Sequence, residues 1–572
     1  MVITTAHPKC QVPIDLAEYL FRRVKQVGVD SVHGVPGDFN LVSLDYVEKS
    51  GLHWVGNCYA ADGYARVNGL AALATVIGVG ELSAINALAG SYAEHVPVIH
   101  IVGQPSLKAQ SSKLPFHHTL GNGDFDVFQR IYESVSCLVV KLDDPETAPA
   151  VIDNAILQCW RQSRPVYISL PADMVQQKVE GTPLSRPLSL SFPVNDPTLE
   201  IHAAQAFSVS LHQAKSPVLL LDRRGVHNQM YKEVLDFIQV TQLPVVSTIS
   251  GRGIVDERLS QFCGVYVGDF SDPNTSAFVE ASDLVVMIGL IKSDVTLGRF
   301  TWKITKERSI ELSPDSMRIG FAGYSGLNLK VLLPTLSKLT GPLTKSQSLV
   351  PGWPHSTPPH PPLSNNEEQL ILHDWLWPTL NHWFQEGDVI ITEIGTSGLG
   401  VWLSTFPRNA TFIAQYLWSS IGYTVGACQG AALAVRDSSN HRRRTILFIG
   451  DGSLQVACQE LSTMMREGLA PIIFVICNNG YTIERFLHGW EAKYNDVQPW
   501  KYSQLLSAFG GHPGQYQTHQ VWKQEQLNHL LDQKEFNNSN VFQFVELHMP
   551  EGDAPSSLKT MANMIVQQTS KK

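Results

Sequence analysis

Short apolar runs recur along the chain, each ending in glycine or a polar residue, and amphipathic stretches of helical length separate them. Asp15 to Val27 is amphipathic. Ser31 to Val35 reads as a short strand closed by a Pro-Gly turn, and further strands run over Val98 to Val102 and Val166 to Leu170. This alternation predicts a doubly wound α/β domain with a mainly parallel sheet. Prolines and serines interrupt it from Pro183 to Pro197, which reads as a linker. A second α/β segment follows, with strands at Val218 to Leu221, Pro244 to Val246 and Leu284 to Ile288. Ser346 to Asn366 holds six prolines and no long apolar run, marking another linker. The expected organisation is three α/β domains of mainly parallel sheets: residues 1–185, 198–345 and 367–572, with a Pro-rich linker at 346–366.

Two of the predicted strands carry chemistry at their ends. Ile446 to Ile449 runs into Gly450-Asp451-Gly452-Ser453, and Ile472 to Cys477 runs into Asn478-Asn479-Gly480. The 25 residues between Gly452 and Asn478 suffice for one helix and its loops, so the runs read as neighbouring parallel strands joined by a right-handed crossover. Both polar tips then open on one carboxyl edge, where α/β sheets bind ligands. Asp451 and Asn478 supply hard oxygens, and the glycines allow close backbone approach to a phosphate, an arrangement suited to a small divalent cation such as magnesium. Either triplet alone would suit a tight turn. The pair at strand ends with this spacing is far more specific.

The pair GDG…NN resembles the signature of thiamine diphosphate enzymes. Longer runs resemble the pyruvate decarboxylase family: GDGSLQ from Gly450, NNGYTIE from Asn478, GVPGDFN from Gly34, YAADGYAR from Tyr59, GVGELS from Gly78, GSYAEH from Gly90 and HHTLGNGDF from His117. The resemblance extends from about Ile14 to about Trp500. It implies a first domain that binds the cofactor's pyrimidine, a middle domain and a third that binds its diphosphate, with at least a dimer needed to complete the site. It further implies that Asp451, Asn478 and the Gly480 carbonyl hold Mg2+, and that Gly395, Thr396, Ser397, Ser419, Gly452, Ser453, Tyr481 and Thr482 line the cofactor. Ile421 would be the apolar wedge that bends it; outside this context it would read as a core residue. Asp38, His117, His118 and Glu484 would handle protons. Adjacent histidines on a loop are costly to bury, because four ring nitrogens need partners. Glu484 also suits the first turn of a helix through its charge.

One departure stands out. Relatives carry approximately GN-x-NELNA-x-YAADGYAR, whose glutamate hydrogen-bonds the pyrimidine and drives carbanion formation, whereas this chain reads Gly56-Asn57-Cys58-Tyr59. Six residues are missing, the glutamate among them, and neither Glu48 nor Asp62 is an obvious replacement. The expected activity is Mg2+-dependent, non-oxidative decarboxylation of a 2-oxo acid to an aldehyde and carbon dioxide. The alternatives are an impaired or regulatory paralogue and a carboligase of the acyloin type. Val295 in Ser293-Asp294-Val295, where pyruvate-preferring relatives carry an aromatic residue, and Gly398, where alanine is usual, hint at a wider cavity. Ile394 and Leu487 are of ordinary bulk. Pyruvate and a bulkier or aromatic 2-oxo acid are both candidate substrates.

Bulk properties narrow the remaining classes. The net charge of −9 over 572 residues provides no basic field for nucleic acid. The one dense basic cluster, His441 to Arg444, is expected to be a solvated loop. Eight cysteines without a CxxC pair suit a reducing compartment. There is neither a signal-length apolar N-terminus nor a membrane-length apolar run. The expected protein is cytoplasmic, a homodimer or homotetramer acting on a small molecule, without a nucleic-acid or membrane partner.

Overall fold

The computed structural model describes residues 13–56, 58–223, 230–343, 361–364, 369–438, 442–538 and 540–569, the side chains of 566–569 excepted. Most of the Pro-rich segment, together with Asn57 and His441, lies outside these residues. The chain divides into two compact units: Met1–Ser191 with Gly426–His441, and Phe192–Val425 with Arg442–Lys572.

The main sheet of the first unit has six strands: β1 (Ser31–Gly34), β2 (His53–Gly56), β3 (Ala71–Val76), β4 (Val98–Gln104), β5 (Leu138–Lys141) and β6 (Val166–Pro171). They lie in the order β2-β1-β3-β4-β6-β5, and every pairing is parallel. β3, β4 and β6 are buried at every position, because crossover helices cover both faces. The helix Cys58–Asn68 starts two positions after β2 ends, so the missing segment leaves almost no connection between them. That helix packs against Tyr423–Asp437 at glycines. A Cβ on Gly63 would lie 2.1 Å from the Ala427 carbonyl oxygen, and one on Gly430 would lie 1.8 Å from that of Ala60. The run YAADGYAR therefore has a packing role. Within it, Tyr64 donates to Asp437, while Asp62 accepts from Arg66 and Ser91.

The second unit holds two sheets. Its seven-stranded sheet contains β7 (Pro217–Leu221), β8 (Val245–Ser247), β9 (Phe262–Val265), β10 (Leu284–Ile288), β11 (Ser309–Ser313), β12 (Ser316–Ile319) and β13 (Ala322–Ser325), ordered β9-β8-β7-β10-β11-β12-β13. The last two strands are antiparallel additions made by tight hairpins. The other sheet comprises β14 (Val389–Thr392), β15 (Thr411–Ile413), β16 (Thr445–Gly450), β17 (Ile472–Cys477), β18 (Tyr516–Val521) and β19 (Phe542–His548). Its order, β15-β14-β16-β17-β19-β18, repeats that of the first unit's sheet strand for strand, again entirely parallel. Phe448 and Phe474 stand opposite each other on β16 and β17 and stack with centroids 4.8 Å apart.

A buried ion pair joins the two sheets of the second unit. Arg252 and Glu257 are both almost wholly buried. Arg252 donates to the carbonyls of Val401 and Ser404 and lies over the Phe406 ring, while Glu257 accepts from the Phe406 amide. The expected solvated basic loop is also partly structural. Arg442 is exposed, but Arg443 donates to the Gly387 carbonyl, and Arg444 pairs with buried Asp388 and covers the Trp383 ring. The carboxylate and the ring draw Arg444 inward because its planar cation pairs and stacks at once.

Two substitutions test this packing. Arg252→Met, which strands the Glu257 charge, is expected to cost about 3–5 kcal/mol, and adding Glu257→Gln to recover part of it. Gly430→Ala is expected to cost about 1–3 kcal/mol by overpacking the helix crossing. Urea denaturation of each variant measures both.

Candidate active site

In a sheet ordered in this way, neighbouring strands β14 and β16 send their chains to opposite sides, opening a crevice at their carboxyl ends. The residues after β14, β16 and β17 line an open pocket there. It gathers Gly395, Thr396, Ser397, Ile421, Asp451, Gly452, Ser453, Asn478, Gly480, Tyr481, Thr482 and Glu484 from four separate stretches of sequence. Ser419 stands apart from this lining. Its backbone has φ +55° and its hydroxyl donates to the Tyr416 carbonyl, so it shapes the turn before Ile421.

Asp451 organises the floor. One carboxylate oxygen accepts from the Gly452 amide at 2.8 Å, and the other accepts from the amides of Asn478 (3.1 Å) and Asn479 (2.8 Å). Burial pushes its carboxyl above the usual range, because these amides replace only part of the lost hydration. Asn478 donates its side-chain amide to Thr482, which turns its carbonyl oxygen away from that contact. Gly480 has φ +126°, and a Cβ there would lie 2.2 Å from the Asn495 carbonyl oxygen, so glycine is required. A buried carboxylate and carbonyl oxygens beside a pocket floored by backbone amides form the hard donor set that Mg2+ and a diphosphate need. The diphosphate end of the expected cofactor therefore fits.

Two residues that the sequence reading did not assign hold this floor in place. Glu393, fully buried, accepts from the Ile394 amide, the Gly422 amide and the Thr424 hydroxyl (2.7 Å), pinning the loop of Ile421 to the loop of Gly395. Burial raises its carboxyl to about 7. Arg485, also buried, donates to the Asn479 carbonyl at 2.8 Å and pairs with Asp496 and Glu551, fixing the Asn-Asn-Gly turn from beneath. Their sequence signal was only adjacency to EIGTS and NNGYTIE. Neither position that hints at a wider cavity lines the pocket, whereas Ile394, of ordinary bulk, does. Gly398 faces the Glu393 carbonyl and Tyr416, and Val295 packs against the apolar core.

The other residues expected to handle protons assemble in the first unit, at the corresponding edge of its sheet. Asp38 follows β1, and the loop after β4 supplies His117 and His118. His117 Nε2 lies 2.6 Å from Asp38 Oδ2, and His118 Nε2 lies 3.5 Å from Oδ1. Asp38's own amide and His117 hold its carboxyl below the usual range. Phe39 stacks on His117 with centroids 4.9 Å apart. His118 takes φ +63°, and a Cβ on Gly78 would lie 1.8 Å from its carbonyl oxygen. Glu81 fixes Gly78 in turn: it accepts from the Gly78 amide at 2.7 Å and the Tyr167 hydroxyl at 2.9 Å, and burial raises it to about 7. No glutamate stands between β2 and the helix that follows it. Glu48 is exposed on the helix Leu41–Lys49, and Asp62 is engaged with Arg66 and Ser91.

A doubly wound sheet with carboxylate and carbonyl oxygens over backbone amides at its switch point is the arrangement expected of the thiamine diphosphate class. Residues 14–128 match the N-terminal TPP-binding domain of thiamine pyrophosphate enzymes, residues 205–323 their central domain and residues 393–546 their C-terminal TPP-binding domain. Over 556 residues, 96% of each chain, the protein is 48% identical to a pyruvate decarboxylase of Aspergillus fumigatus and 47% identical to one of Aspergillus terreus. It is 41% identical to pyruvate decarboxylase isozyme 1 of Saccharomyces cerevisiae over 558 residues, 96% of this chain and 98% of that one. The chain belongs to the pyruvate decarboxylase family.

Arg485→Ala is expected to weaken binding of Mg2+ and thiamine diphosphate roughly ten-fold, about 1.4 kcal/mol, close to the lower end of the range for a hydrogen bond to a charged group. Titration of the cofactor-free protein measures this. Glu393 gives a pH signature. The folded state holds its proton up to about 7 and the unfolded state only to about 4.5, so its contribution to stability falls as pH rises through that window. The melting temperature of Glu393→Gln relative to the parent is therefore expected to move in the variant's favour between pH 4.5 and pH 7.5.

Proposed function

We propose that the chain catalyses the thiamine diphosphate- and Mg2+-dependent, non-oxidative decarboxylation of a 2-oxo acid to an aldehyde and carbon dioxide. The observation that carries this reading is the Asp451–Asn478–Gly480 floor under a pocket at the sheet's switch point, in a chain of this family. Asp451, the Asn478 carbonyl oxygen and the Gly480 carbonyl hold Mg2+. The amides of Gly452 and Ser453, with Gly395, Thr396, Ser397, Tyr481 and Thr482, receive the cofactor, and Ile421 supports its shape. Bound thiamine diphosphate supplies the electron sink for the pair left on carbon when carbon dioxide departs. Proton delivery falls to Asp38, His117, His118 and Glu484. Asp38 anchors His117, so the imidazole can give up a proton and be reprotonated without losing its orientation. The substrate is pyruvate or a longer or aromatic 2-oxo acid.

Assembly as a homodimer or homotetramer is part of the proposal. Leu417, Trp418, Ile421 and Val456 are each about 40–55% exposed on or next to the cofactor-lining segments, an apolar surface that a second copy would cover. A cytoplasmic site is supported by the cysteines: Cys58, Cys137, Cys159, Cys263, Cys428, Cys458 and Cys477 are free thiols. Among the described residues no helix is long and apolar enough to cross a membrane.

The loss of the glutamate before Tyr59 favours a second reading, in which the chain binds cofactor but turns over slowly or acts as a regulatory partner. Carboligation of the acyloin type is the third. Carbon dioxide release from pyruvate and from phenylpyruvate, each with and without thiamine diphosphate and Mg2+, separates them. Release that needs both additions and is abolished by Asp451→Asn is the expected result. Cofactor binding without release points to the second reading, and acyloin as the main product to the third.

A further inference from the structure

The Asp38–His117–His118 cluster has a coordination chemistry of its own. One nitrogen from each imidazole and one carboxylate oxygen lie within 4.8 Å of one another. A tetrahedral zinc ion with bonds of about 2.0–2.2 Å spaces its ligands about 3.3 Å apart. His117 Nε2 lies 2.6 Å from one Asp38 oxygen and His118 Nε2 3.5 Å from the other, close to that separation, and modest rotation of the side chains brings one atom from each into range. All three groups reach solvent: His117 and Asp38 are more than half exposed, and His118 is 29% exposed. A metal can therefore enter and keep water in its remaining position.

The cluster is also held in advance of binding. The His118 main chain is seated against Gly78, Glu81 fixes that turn, and Phe39 stacks on His117 while meeting His118 edge-on. Little conformational freedom is left to lose when a ligand arrives, which favours affinity. Two imidazoles and one carboxylate on one side of an ion select borderline divalent metals over hard Mg2+, the reverse of the all-oxygen Asp451 floor.

We propose that Asp38, His117 and His118 form a Zn2+ site whose occupancy inhibits the enzyme. Zn2+ takes the place of the proton between His117 and Asp38, which is released to solvent, and occupies the facing ring nitrogens and carboxylate oxygen, so no proton passes through those atoms. The binding claim stands on geometry alone, while the inhibition claim rests on the decarboxylase reading.

The test uses the full chain with thiamine diphosphate and excess Mg2+, titrated with Zn2+ by calorimetry and with Co2+ by visible absorption. One Zn2+ per chain is expected, with affinity falling at least about ten-fold in each of Asp38→Asn, His117→Ala and His118→Ala, since losing even an outer partner of a metal commonly costs that much. His117→Cys is expected to keep a site and add a thiolate-to-cobalt absorption band, a gain that misfolding cannot mimic. Asp451→Asn, which abolishes turnover on the decarboxylase reading, is expected to bind Zn2+ as the parent does. Carbon dioxide release should fall in step with Zn2+ occupancy and return on adding a zinc-selective chelator. No stoichiometric binding, or binding unchanged by all three removals, overturns the site. Zn2+ bound at the cluster with undiminished release overturns the inhibition.

Discussion

The parallel pairing of β16 with β17 is the constraint on which the candidate site depends. Ile446 pairs with Ile472 and Gly450 with Ile476, so Asp451 and Asn478 emerge together at one edge. Only then can a single carboxylate accept from the amides of Gly452, Asn478 and Asn479. A one-residue slip would turn the stacked Phe448–Phe474 pair out of register and separate the two polar tips. The apolar core and the polar site are consequences of the same register.

The same architecture is used twice. Both six-stranded sheets follow one strand order, and each gathers its chemistry at the same kind of place. In one, the residues after β14, β16 and β17 make an oxygen-lined floor; in the other, those after β1, β3 and β4 bring together Asp38, the Gly78 turn and the His pair. Parallel strands with covered faces leave their carboxyl ends as the places where polar groups can be solvated and still be held rigidly. The contrast between an oxygen set and an imidazole-carboxylate set then comes from loop composition alone.

Buried ionisable groups stiffen these edges. Glu393 ties two pocket-lining loops, Arg485 props the Asn-Asn-Gly turn, and the Arg252–Glu257 pair joins the two sheets of the second unit. Each is costly to bury, and each is retained where several main-chain groups need one shared partner. Geometry, rather than net stability, is what these residues supply. The absent glutamate marks the opposite case, because β2 passes into its helix with almost no loop in which to present a carboxylate.

The sequence by itself determined the two strands Ile446 to Ile449 and Ile472 to Cys477, their parallel sense and the Asp451–Asn478 edge, because a continuous apolar run and a 25-residue crossover admit few arrangements. It also exposed the missing glutamate, a gap visible only against a pattern. Other features were decided by tertiary structure. Nothing local shows that Glu393 serves Thr424, that Arg485 reaches Glu551, or that Gly63 meets Ala427, since these partners are 31, 66 and 364 positions apart. The Arg443–Arg444 run looked solvated because its carboxylate and aromatic partners come from another strand's beginning. Local patterns encode elements and their ends, whereas the partners of buried polar groups are chosen only when distant elements pack.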